Sequence, residues 1–211
     1  MANKISRRAF LKTGIAVGAG IYGLSYLSTL KRMPALKKLK EHRLRPGLVV
    51  AHGNVSDTLD EPAIIKEMVR RALNALGGVD KLVSKGNRVI IKPNIAWNQK
   101  PEFAANTNPY VVAALVELCR EAGASVVKVM DHTCSANPEP SYENSGIAAA
   151  ARKAGADVTY IDNRRFQEFS IPGSKVLKSW DFYKEMVFAD EVDVLINVPI
   201  AKQHGTSRLS M

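Results

Sequence analysis

The chain predicts an α/β fold, a Rossmann-like and mostly parallel sheet with flanking helices, and three observations lead there. From Pro46 onward, short apolar runs alternate with helical stripes. The tetrad Gly123-Ala124-Ser125-Val126 returns 32 residues later as Gly155-Ala156-Asp157-Val158, one helix–turn–strand unit repeated. Units of that kind in succession make right-handed βαβ crossovers and hence a parallel sheet. The run Val192–Ile200 is apolar enough to suit the interior of such a sheet, buried on both faces.

Each element has its own local reason. Leu48–Ala51 is a short apolar, strand-like run. Ala63–Leu76 carries apolar residues at 64, 65, 68, 69, 72, 73 and 76, with Pro62 at its start and Gly77-Gly78 at its end, which predicts a helix. Arg88–Lys92 is a compact strand halted by Pro93. Asn108-Pro109 reads as an N-cap and first helical residue, and the helix runs to Gly123. Ser125–Met130 is a strand, Gly146–Ala154 a helix, Asp157–Ile161 a strand and Val192–Val198 the last strand. Residues 163–187 and the following Phe188 supply six aromatic side chains that read as a hairpin or excursion packed against the core.

Composition excludes several classes. The chain has 211 residues, 46% hydrophobic and 24% charged, with 14 Gly and 10 Pro, so collagen, coiled coil and wholesale disorder are ruled out. Its net charge of +10 belongs entirely to residues 1–45, which hold eleven Lys/Arg and one acid, Glu41. The remainder balances nineteen bases against nineteen acids. A neutral body offers no field to steer phosphate, so no nucleic-acid partner is expected. Two regions follow: a leader, 1–45, and an α/β domain, 46–211.

The leader contains Ser6-Arg7-Arg8-Ala9-Phe10-Leu11-Lys12, with Ser6, Arg7, Arg8, Phe10, Leu11 and Lys12 filling the positions of a twin-arginine export signal. An uncharged stretch of 18 residues, Thr13–Leu30, follows directly. The expected partner is therefore the twin-arginine translocation machinery, with the body on the periplasmic or other extracytoplasmic face. Four glycines weaken the stretch as a membrane span, and as a helix it would reach only about 27 Å. No A-x-A cleavage site is evident, so residues 13–30 are either removed or kept as a membrane anchor. Residues 31–45 read as a solvated basic spacer or as an amphipathic helix on anionic lipid.

Ligands of open parallel sheets bind beyond the carboxyl ends of the strands. The residues gathered there by the predicted strands are Lys92 and Asn94, then Thr107; Asp131, His132 and Cys134; Asp162; and Asn197, Lys202 and His204. Lys92, Asn94, Thr107, Asn197 and Lys202 are candidates for an anionic ligand. Asp131, His132 and His204 are candidates for a divalent metal, and Lys92, Asp131, Lys202 and His204 for proton transfer. Plainer roles exist: Asp131 and Asp162 as turn caps, Asn108 as a helix cap, His132 as a solvated loop residue. No H-x-x-x-H, C-x-x-C, G-x-x-x-x-G-K or G-x-S-x-G signature occurs. Two cysteines, Cys119 and Cys134, are too few for an iron–sulfur cluster, and a disulfide between them is open in an exported protein.

The segments Val89–Asn94 (VIIKPN), Thr107 before a helix, and Asn197–His204 (NVPIAKQH) resemble the bacterial and archaeal family called domain of unknown function 362. The resemblance runs from about Leu48 to Met211. It singles out Lys92, Asn94, Lys202 and His204, and some members carry a twin-arginine leader or an appended ferredoxin-like domain, which implies a redox partner protein. It implies no reaction, so the choice between an enzyme, a redox-associated accessory protein, a tethered assembly module and an inactive fragment stays open. The family's pattern runs on beyond the K-x-H segment, so the α/β domain reads as incomplete at its C-terminus, with an uncovered sheet face and a tendency to aggregate.

Overall fold

The computed structural model describes residues 48–53, 61–161, 163–187 and 192–210. The leader heptad, the stretch 13–30, Asp162 and Phe188 lie outside the described residues. No helix among the described residues is long and apolar enough to cross a membrane.

The first helix, α1 (Glu61–Ala75), carries its apolar stripe as expected. Val69 and Leu73 pack on the core, while Lys66 and Arg70 reach carboxylates of the next long helix, Glu117 and Glu121. Strand β1 (Arg88–Pro93) leads to α2 (Pro109–Glu121), which Asn108 caps by accepting the Tyr110 N–H at 2.8 Å. Strand β2 (Val126–Val129) follows, then two short helices, α3 (Glu139–Asn144) and α4 (Ile147–Lys153), and β3 (Asp157–Val158). Beyond β3 lie an antiparallel hairpin of β4 (Phe166–Ser170) and β5 (Ser179–Tyr183), the short α5 (Lys184–Val187) and β6 (Val194–Val198). A second hairpin joins β7 (Lys202–His204) to β8 (Arg208–Ser210).

The sheet order is β3-β2-β1-β6, and every pairing in it is parallel. This is the α/β, Rossmann-like arrangement that the alternating pattern predicts. The repeated tetrads lead into β2 and β3 but lie three residues out of step, since Asp157 pairs with Lys128 and Val158 with Val129. Gly123 and Gly155 both adopt positive φ (90° and 93°), the backbone turn that ends each helix. At Gly123 a Cβ would sit 3.2 Å from the backbone of Lys85, so close approach as well as φ selects glycine.

Alternation sorts the strands between two faces. Val89, Ile91, Val127 and Val129 face the helices and pack with Val112, Val116 and Cys119 of α2 and with Ile147, Ala148 and Ala151 of α4. Ile90 faces the other way and joins Met130, Ile161 and Tyr183, backed by Phe166 and Met186.

Four sequence expectations are corrected. Leu48–Ala51 forms no strand, and Leu48 and Val50 are exposed. β1 does halt at Pro93, but Pro93 is its last residue and not the first beyond it, paired with Val198, because the parallel ladder leaves its missing N–H uncalled for at the strand end. Among the described strands the last is not interior: β6 lies at the edge of the sheet, with Leu195 48% exposed. The aromatic cluster divides, since Phe166 and Tyr183 pack inward while Trp180 and Phe182 are exposed.

Candidate functional site

The order β3-β2-β1-β6 places a reversal between β1 and β6: the chain adds β2 and β3 on one side of β1, then crosses back to lay β6 on the other. At such a switch point the connections leave in opposite directions and open a crevice beyond the carboxyl ends of the two strands. Lys92 lies at the end of β1 and Asn94 directly after it; Asn197 is the register partner of Lys92 on β6 and is exposed.

Asp131, just past β2, is buried and held from several sides. Its Oδ1 lies 2.7 Å from the Lys92 ammonium, and its Oδ2 accepts the Ile95 N–H at 2.7 Å. The Tyr142 hydroxyl accepts the Asp131 N–H at 2.6 Å and lies 2.7 Å from the Asp131 carbonyl, to which it donates. Burial of Tyr142 drives its phenol well above the ordinary tyrosine range, so it stays protonated and keeps donating. The carboxylate is thus pre-oriented, with one oxygen on a cation and the other on a backbone donor.

A second set of bonds ties β1 to β6. The Thr107 hydroxyl accepts the Asn94 N–H at 2.8 Å and donates to the Val198 carbonyl at 2.7 Å, and the Thr107 N–H donates to the Asn94 carbonyl. Lys202 reaches into the same place, its ammonium donating to Asn94 Oδ1 at 3.2 Å and to the Ala105 carbonyl. The two lysines differ. Lys92 is neutralised by Asp131, whereas no carboxylate among the described residues pairs with Lys202.

The structure therefore brings Lys92, Asp131, Asn94, Thr107 and Lys202 to one edge, with Asn197 beside Lys92. The two histidines are placed differently. His132 is exposed and edge-packed on Phe166, and His204 is exposed in the β7–β8 hairpin, where its Nδ1 accepts the N–H groups of Thr206 and Ser207. Among the described residues no group of three or more His, Cys, Asp or Glu is placed to hold a metal ion, so Asp131, His132 and His204 do not form one cluster. Both cysteines are free: Cys134 is exposed, and burial pushes the Cys119 thiol up to about 11.

Two contributors escape a reading by strand ends. Tyr142 comes from α3, a six-residue helix without a recognisable stripe, and its signal is a lone aromatic in a polar segment that follows Pro138 and Pro140. Asn106 is buried and shapes the loop after β1, accepting the Trp97 N–H and donating to the carbonyls of Trp97 and Gln99. Its type and position resemble an ordinary turn asparagine, so sequence carries no cue.

Comparison with known proteins adds relatives to this geometry. The Thylakoid-associated protein sll1697 of Synechocystis sp. (strain ATCC 27184 / PCC 6803 / Kazusa) is 27% identical over 146 residues, which cover 68% of this chain and 42% of that protein. The chain thus spans less than half the length of the curated relative it matches. No solved structure matches it. The family described as Domain of unknown function (DUF362) matches residues 89–211, from β1 through both β1–β6 lysines to the second hairpin. That match takes in more than half of the chain and every residue of the braced edge, and the chain belongs to this family.

Proposed function

We propose that the crevice between β1 and β6 binds a small anionic ligand, with Lys202 as its principal charge. The observation that carries this reading is the imbalance at the edge. Lys202 is positioned by neutral oxygens, Asn94 Oδ1 and the Ala105 carbonyl, and no described carboxylate cancels it. A fixed ammonium with neutral partners favours an incoming anion, most strongly where protein walls lower the local dielectric. Asn94, Thr107 and Asn197 supply the neutral polar rim, and the Lys92–Asp131 pair stands beside it. An anion is preferred to a divalent metal because both Asp131 oxygens already have donors.

The ligand reading is tested by thermal shift of the full chain against inorganic phosphate, sulfate and small di- and tricarboxylates. An anion at about 100 times its Kd stabilises the fold by about 2.7 kcal/mol. Lys202→Gln abolishes that response. Retention of the full response in Lys202→Gln, or indifference of the wild-type chain to every anion, overturns the reading.

The same protein is proposed to leave the cytoplasm by the twin-arginine route and to work at the far side of a membrane. The complete heptad Ser6–Lys12 and the confinement of excess charge to residues 1–45 support it. A membrane-related location also agrees with the relative described as thylakoid-associated. Changing Arg7 and Arg8 together to Lys retains the body in the cytoplasm; unaltered localisation rules the route out.

A further inference from the structure

We infer that the β4–β5 hairpin is a membrane-interface anchor whose tip and one face dock on an anionic lipid bilayer. The register of the hairpin sorts its residues into two unlike faces. Gln167 pairs with Phe182 and Phe169 with Trp180, while Glu168 pairs with Asp181 and Ser170 with Ser179. Cross-strand partners share a face, so Phe169, Trp180 and Phe182 gather on one side and the two acids on the other. At the root, Phe166 and Tyr183 pack with Ile90 and Met130 of the domain, which holds the hairpin on a fixed base.

The connecting loop, 171–178, continues the pattern. It contains Ile171, Val176 and Leu177 with two lysines, Lys175 and Lys178, and no acid. Val176 is 94% exposed, Trp180 54% and Phe182 44%. The loop is a built turn: Ile171 N–H donates to the Lys178 carbonyl at 2.8 Å, and Leu177 N–H to Ser174 Oγ at 3.1 Å. Hydrogen bonds inside the turn satisfy backbone groups that would otherwise need water when the tip leaves it.

Three features together select a bilayer over other occupants. Aliphatic residues at the tip suit the acyl boundary, and Trp and Phe behind them suit the headgroup level, where ring and polar edge are both accommodated. Lysines flanking the apolar tip complement anionic headgroups, while the acids Glu168 and Asp181 are turned to the opposite face. A contiguous aromatic and aliphatic patch of this kind is not left to water without a partner in ordinary soluble domains. The inference is independent of the anion crevice, which shares none of these residues.

The test uses the full chain with Trp97→Phe, which leaves Trp180 as its sole tryptophan. Vesicles containing phosphatidylglycerol should shift Trp180 emission to the blue, and brominated acyl chains should quench it. Phosphatidylcholine vesicles should do so far less, and salt should weaken the effect. Replacing Val176 by Asp, with Lys175 and Lys178 by Glu, should lower partitioning of the hairpin roughly tenfold or more. These residues are on the surface, so the variant keeps its fold. Attachment of the chain through its leader does not mimic the signal, because quenching reports Trp180 alone. Trp180 emission that stays unquenched on vesicles carrying bound chain overturns the inference. A blue shift that instead follows protein concentration without lipid also overturns it, and assigns the face to a second copy.

Discussion

Strands β1 and β6 lie side by side in one parallel sheet, Val89–Pro93 against Val194–Val198, and are built from similar residues. Val89, Ile90 and Ile91 of β1 are all but sealed from solvent, Ile91 completely, whereas Leu195 in β6 is 48% exposed and its neighbours are half-buried. The difference is one of position in the strand order. β1 has a neighbour on both sides and packing on both faces, with α2 on the face of Val89 and Ile91 and with Met130 and Tyr183 clustered with Ile90. Among the described residues β6 has β1 on one side only, and the helix-facing Val194, Ile196 and Val198 touch just the margin of the core. Apolar composition makes a strand eligible for burial; topology decides whether it is buried.

Truncating matching side chains on the two strands should separate them most widely. Ile91→Ala should cost about 2–5 kcal/mol, the usual range for deleting a sealed aliphatic side chain, while Leu195→Ala should cost about 1 kcal/mol or less. Urea midpoints at constant slope measure both. Equal losses would show that β6 is covered in solution as fully as β1.

A smaller effect tests the bond that joins the two strands at their carboxyl ends. Thr107→Val keeps the side-chain shape but deprives the Asn94 N–H of its acceptor and the Val198 carbonyl of its donor. The expected loss is about 1–2 kcal/mol, with faster amide exchange at Asn94 than at Ile91. A loss below the error of the measurement would mean that water replaces the hydroxyl and that β6 is braced elsewhere.

The smallest effect lies at the opposite end of the pair. Asp193, just before β6, accepts hydrogen bonds from the Arg88 side chain and from its backbone N–H at 2.8 Å. The Arg88 guanidinium, aided by that N–H, holds the Asp193 carboxyl below the ordinary carboxylate range. A lowered folded value means that the stabilisation is complete above the unfolded pKa of about 4 and fades as pH falls through the folded value. Both side chains are about a third exposed, so solvent screening limits it to about 0.5 kcal/mol. Asp193→Asn should therefore be slightly less stable than wild type at neutral pH, and the two should converge in acid. A gap that persists or widens at low pH would show that the carboxylate charge is not what joins Asp193 to Arg88.

Much of the candidate edge was legible because strand ends are legible. Lys92, Asn94, Asp131, Asn197 and Lys202 each follow an apolar run within a few residues, and a parallel sheet aligns such ends on one side. What the positions alone leave open is their chemistry. Lys92 and Lys202 look equivalent in the chain, but only Lys92 meets a carboxylate. The Lys92–Asp131 pair spans two strands, and the Tyr142 hydroxyl that fixes Asp131 arrives from a helix with no periodic signal.

Local pattern by itself determined the α/β class, the helices α1, α2 and α4, the Asn108 cap and the glycine turns that launch β2 and β3. Those features depend on neighbours in the chain: side-chain periodicity, one capping oxygen, one positive φ. The tertiary structure alone decided that β6 is an edge among the described strands, that Trp180 and Phe182 face outward while Phe166 and Tyr183 face inward, and that Lys202 meets neutral oxygens where Lys92 meets a carboxylate. Those outcomes depend on which surface meets which across 90 or more residues of chain, as where Thr107 meets Val198 and Lys202 meets Asn94. Hydrophobic burial is non-directional, so an apolar run carries no mark of the partner, or the absence of one, that will cover it.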